Sequence, residues 1–175
     1  NEPIWPFHIG RGYHAALAVW YKEMKRVQDA DGDWLNDVDH YAIKEDALAK
    51  AKKEFLRDLD FETHPSLEFE ADEAWTCVDS TCTQYWIRHP AEPDWEILDV
   101  EREVTLVIDG QVFTFRLDLL VKHLETRRIA VVEHKGSNLY ATQFFKSYLI
   151  HDQSCGYCKA ASMRCNDCSR ISGSI

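Results

Sequence analysis

Three charged residues stand out in two apolar runs of RLDLLVKHLETRRIAVVEHK, residues 116–135: Asp118 within the first, and Glu133 and Lys135 at the end of the second. The stretch reads as two short strands, LDLLVKHL and IAVVEHK, joined by a charged turn, ETRR. Side chains alternate across a strand, so Glu133 and Lys135 are expected on one face with Val131, and His134 on the other. A mostly apolar strand that ends in charges has to compensate their desolvation, by pairing them or by holding a metal ion. The same residues also read as a surface hairpin carrying one Glu–Lys ion pair, which would contribute little.

An Asp followed about fifteen residues later by Glu-x-Lys at the end of an apolar strand resembles the core of the PD-(D/E)XK nucleases. More narrowly it is similar to their RecB-like exonuclease branch, which includes phage and CRISPR-associated members. The resemblance implies a restriction-endonuclease-like α/β fold, with a helical N-terminal half and a mixed central β-sheet flanked by helices. It also implies one or two Mg²⁺ or Mn²⁺ ions held by Asp118, Glu133 and the main-chain carbonyl of His134, an oxygen-rich set that suits these hard cations. Lys135 would orient or deprotonate the attacking water or neutralise the phosphate.

The elements that must position these groups are legible along the chain. GYHAALAVWYKEMKRVQ, residues 12–28, reads as an amphipathic helix with Ala16, Val19, Trp20 and Met24 on one face. His14 is expected in its first turn, just after Gly10 and Gly12. Gly10, His14 and Leu17 match the Gly-x-x-x-His-x-x-Leu that opens the RecB-like domain, which makes His14 a metal ligand by resemblance. ADGDWLNDVDHY, residues 30–41, reads as an acidic loop without the glycine and terminal Glu of a calcium loop, and Asp37 or Asp39 starts the next helix. That helix runs over residues 43–59, and a third over 67–87 carries Cys77 and Cys82 as small core residues.

RHPAEPDW links to the β part, where WEILDVEREVTLVI and QVFTFRLDLLV flank Asp109-Gly110, a hairpin signal. Glu101, in DVEREV, resembles the acid that this branch carries on the strand before its Asp strand, and Glu103 is the second choice. Arg116 and Phe115 depart from the pattern, standing where a Gly often precedes the Asp.

Gln153 and Tyr157 match the Gln-x-x-x-Tyr motif of the branch and share a helix face at four-residue spacing, so by resemblance they hold the substrate strand. Cys155, Cys158, Cys165 and Cys168 form C-x2-C-x6-C-x2-C, similar to a zinc or iron–sulfur ligand set. Relatives with such a cluster place one Cys near the N-terminus, which this chain does not, so free thiols are expected. The strand that usually follows the motif helix is missing, and the reading expects the domain to be incomplete at its C-terminus.

The 175 residues make about one domain, read as a single unit over 1–175. A formal net charge of −10 argues against a simple electrostatic nucleic-acid binder, yet not against an enzyme whose metal handles the phosphate. No membrane-length apolar run and no signal peptide are seen, so the expected setting is the cytoplasm. The expected activity is metal-dependent DNA cleavage, exonucleolytic and of phage or bacterial recombination type, with DNA, a recombination partner or further copies of the chain as partners. The alternative is a nuclease-fold protein that binds or inhibits without catalysis.

Overall fold

The computed structural model describes residues 3–135, Asp109 excepted, and omits the side chains of Leu106 and Ile108. Gln153, Tyr157 and the cysteines Cys155, Cys158, Cys165 and Cys168 lie outside the described residues. The chain is mixed α/β and divides into two compact units, a helical one ending at Glu92 and a sheet unit beginning at Pro93.

Three helices build the first unit: α1 (Trp5–Asp29), α2 (His40–Leu56) and α3 (Leu67–Arg88). α1 starts roughly two turns earlier than its amphipathic pattern indicates. Pro6 suits a first turn, where its missing N–H costs nothing, and both glycines are carried inside the helix. His14 therefore sits in the third turn of α1, not the first. The helix tolerates Gly12 because α2 and α3 press against it there. A Cβ on Gly12 would meet the Phe55 Cβ at 3.2 Å, the Ala51 carbonyl at 3.3 Å and the Val78 Cγ1 at 3.3 Å.

α2 begins where Asp39 accepts the main-chain N–H groups of Tyr41 and Ala42, an N-cap that supplies partners for otherwise orphan donors. Its last carbonyls are taken by α1: the His8 Nδ1–H donates to the Phe55 carbonyl at 2.9 Å, and Arg11 donates to the Arg57 carbonyl and pairs with Asp58. Ile43, Ala47, Ala51 and Phe55 recur every four residues as its buried stripe, and Ala71, Ala74, Val78, Cys82 and Trp86 form that of α3. Cys82 is the small core residue expected, and burial pushes its thiol up to about 12. Cys77 instead faces out, because at five-residue spacing it leaves the stripe that buries Cys82.

The acidic segment between α1 and α2 is a loop, anchored by a buried Trp34 set edge-on to Trp20 at 4.9 Å. The Trp34 indole donates to the Pro90 carbonyl at 2.8 Å, and Tyr21 donates to Glu92 at 3.0 Å, so the linker stays tied to the helices.

The sheet unit holds β1 (Trp95–Ile108), β2 (Gln111–His123) and β3 (Ile129–Val132), in the order β1-β2-β3. Gly110, at φ +79°, supplies the left-handed turn that closes the β1–β2 hairpin. All pairings among the described residues are antiparallel, so the parallel component of the expected mixed sheet is not represented in them. β2 is central, and Leu117, Leu119, Leu120 and Val121 are buried in succession, as in a strand covered on both faces. Its first four residues are exposed.

Candidate metal centre

Asp118 lies where β2 passes from its exposed outer half to its buried inner half, and is itself only 9% exposed. The pairs on either side, Val100↔Leu119 and Arg102↔Leu117, put Glu101 of β1 directly opposite it. One carboxylate oxygen of each lies within 4.8 Å of the other. Glu101 has φ +55°, a conformation that disfavours any residue with a Cβ. Asp31, Asp58 and Arg127 also have positive φ, but they stand in loops and turns, whereas Glu101 lies inside a strand. The hairpin register has slipped by one residue just before it, between Ile97 and Asp99, and such bulges re-aim side chains.

β3 is shorter than the apolar pattern implies. The ladder stops at Leu119↔Val132 because the next N–H to turn toward β2, that of His134, goes to a side chain: it donates to the Asp118 Oδ2 at 2.9 Å. Strict alternation is lost at that point. His134, expected on the face away from the acids, is buried with its Nδ1 3.8 Å from the same Asp118 oxygen. A buried carboxylate thus gains a directed main-chain donor and a neighbouring imidazole, the kind of partners its desolvation requires.

Glu133 follows Val132, one step beyond the ladder on the side of Asp118, with its side chain 10% exposed. Lys135 Nζ pairs with its Oε1 at 2.5 Å, both residues standing beyond the end of β3. Glu103 is exposed and stands across from Arg116, so of the two β1 acids Glu101 is the one brought to Asp118. His14 is half-buried on α1, in the helical unit.

Two contributors were not anticipated. The N–H and ring of His134 gather at Asp118, and no pattern signals where a strand stops pairing. Arg116 places its Nε 3.1 Å from the Glu101 Oε2. Alternation could have found it, since Arg116 and Asp118 are two apart on one strand and share a face.

The donor set suits a hard divalent cation. Two oxygens bound to one Mg²⁺ at about 2.1 Å stand about 3 Å apart when adjacent and about 4.2 Å when opposite. Glu101 and Asp118 bring carboxylate oxygens to within 4.8 Å of each other, close to that spacing, while Glu133 is engaged by Lys135 at the end of β3. Compared with protein-family models, curated proteins and solved structures, the chain has no match in any of the three.

Proposed function

We propose that the chain is a metal-dependent nuclease that hydrolyses phosphodiester bonds in DNA, with Glu101, Asp118 and Glu133 as the carboxylates of its metal centre and Lys135 as its cation. The observation that carries the reading is the opposition of Glu101 and Asp118 across β1 and β2, with Glu101 held in a left-handed conformation inside a strand. Backbone strain and clustered like charges oppose folding, and they are found together where a site needs them.

Mg²⁺ or Mn²⁺, when bound, supplies a water of lowered pKa and positive charge for the phosphate oxygens. The chain's own residues do the rest. His134 fixes the orientation of Asp118 through its N–H, and in the nuclease reading its carbonyl is a further ligand. Lys135, drawn to Glu133, orients the attacking water or meets the charge that builds on the phosphate. The resemblance to the RecB-like branch brings in His14 as a nitrogen ligand and Gln153 and Tyr157 as strand-holding residues. It also brings in a mixed sheet flanked by helices, exonucleolytic action and a role in phage or bacterial recombination.

The deciding experiment incubates the chain with linear and circular DNA in Mg²⁺, Mn²⁺ or EDTA. Cleavage of linear DNA alone, abolished by EDTA, is expected; cleavage of both forms makes it an endonuclease, and none in either metal removes the proposal. His14→Ala is expected to weaken Mn²⁺ binding about tenfold, or about 1.4 kcal/mol, more than it weakens Mg²⁺ binding, since nitrogen donors favour the later ion. Equal Mn²⁺ affinities in calorimetry would return His14 to the scaffold.

The second reading, a nuclease-fold protein that binds or inhibits a partner without catalysis, is favoured by the net charge of −10. Metal binding without cleavage of any DNA form would support it.

A further inference from the structure

We infer that Arg116 is the residue that takes a phosphate oxygen of the substrate strand, held beside the metal centre by its pair with Glu101. The inference rests on the nuclease reading and adds a substrate-binding group to it. Arg116 and Asp118 share a strand face, and the Arg116 Nε lies 3.1 Å from the Glu101 Oε2. The pair is asymmetric: the Arg116 side chain is 58% exposed, that of Glu101 17%. One edge of the guanidinium is therefore turned to the carboxylate while much of the group faces solvent.

A guanidinium carries five N–H donors in a planar fork that matches phosphate as well as carboxylate, so engaging Glu101 through Nε leaves donors for a second anion. The position is also costly for a purely structural cation. A positive charge beside two acids weakens their hold on a divalent ion, as Coulomb's law requires. A role in binding an anionic substrate accounts for its presence there; a role in holding the metal does not. Along the same face β1 and β2 continue outward from exposed Glu103, across from Arg116, to Thr105 and Thr114, whose hydroxyl oxygens are 3.4 Å apart.

The two roles predict opposite signs. In the full chain, Arg116→Gln is expected to leave Mn²⁺ affinity in calorimetry unchanged or raised. Binding of a fluorescein-labelled duplex oligodeoxynucleotide in Ca²⁺ is expected to weaken, with the slope of log affinity against log salt falling by about 0.9, the loss of one phosphate contact. Arg116→Lys is expected to keep the slope, since a point charge still meets the phosphate. Glu101→Gln is expected to tighten oligonucleotide binding without metal, and the gain is expected to shrink in Glu101→Gln/Arg116→Gln because the freed cation is gone.

If wild type binds and cleaves DNA but Arg116→Gln keeps the full salt slope, the assignment of Arg116 falls and the nuclease reading stands. Weaker Mn²⁺ binding by Arg116→Gln would likewise overturn it in favour of a residue that holds Glu101 for the metal. A wild type that neither binds nor cleaves DNA in any metal removes both.

Discussion

Glu101 and Asp118 face each other across the β1–β2 pair with carboxylate oxygens within 4.8 Å, and Glu101 reaches that position at φ +55°. Both features disfavour the fold, since like charges repel and a Cβ in the left-handed region costs on the order of 1–2 kcal/mol. Neither is a general need of a hairpin, whose register continues regularly from Arg102 to Ile108.

Glu101→Gly is therefore expected to raise stability by about 1 kcal/mol while abolishing metal-dependent cleavage. Glycine adopts positive φ without a steric penalty, and the repulsion with Asp118 disappears. Urea unfolding of the two proteins, without metal, measures the change. A loss of stability would mean that the pair with Arg116 outweighs the strain, and would weaken the view of Glu101 as a residue kept for function.

Lys135→Ala is expected to abolish DNA cleavage and to leave calorimetric Mn²⁺ affinity within about threefold of wild type, about 0.7 kcal/mol. The amine touches Glu133 from the more exposed side, and in the proposed mechanism it serves the water or phosphate. Wild-type turnover in the variant would contradict the nuclease assignment, and a stability loss of several kcal/mol would mark the pair as structural.

The glycines of α1 are expected to respond in opposite directions. Gly10 has open space around its Cα, so Gly10→Ala adds helix propensity and is expected to stabilise by roughly 0.5–1 kcal/mol. Gly12→Leu drives a side chain into Phe55, Ala51 and Val78 and is expected to cost about 1–3 kcal/mol or more. Thermal melts of both variants decide it, and a tolerated leucine at position 12 would show that α1 and α2 pack less closely there.

Alkaline stability is expected to depend on Tyr21 and Tyr85, whose hydroxyls are 2.6 Å apart with Glu92 beside them. Burial, then the contact with Tyr85, pushes Tyr21 far above the usual phenol range, and burial pushes Tyr85 up to about 12. A phenol protonated in the native state ionises near pH ~10 once unfolded, so the unfolded chain binds fewer protons above that value. This stability is fully present below pH ~10 and declines as pH rises toward about 12. Tyr21→Phe is expected to flatten the decline between pH ~9.5 and ~11.5 and to cost about 1 kcal/mol at neutral pH. An unchanged slope in pH-dependent urea melts would show that other groups govern it.

Periodicity determined much of this protein in the sequence alone. Spacings of three and four residues placed α1, α2 and α3, and alternation and Asp109-Gly110 placed β1 and β2, whereas Asp118 and Glu133 were singled out by a resemblance. Each element follows from a local rule, that an apolar face must find cover, and so each is written in consecutive residues. Glu133 and Lys135, two apart in the sequence, pair as their closeness allows.

What only the tertiary structure decided are features set by partners distant in sequence. Gly10 and Gly12 looked like the approach to a helix and are part of one, because the fit of Gly12 depends on Phe55 and Val78. The turn of His134 toward Asp118 ended β3 at Val132, since a main-chain N–H can serve the ladder or the carboxylate but not both. Glu101 was already preferred to Glu103 by resemblance, but its place opposite Asp118 was set by a register slip and one left-handed residue. Spacing encodes neither. Which of two acids two positions apart faces a buried carboxylate depends on how the neighbouring strand is paired.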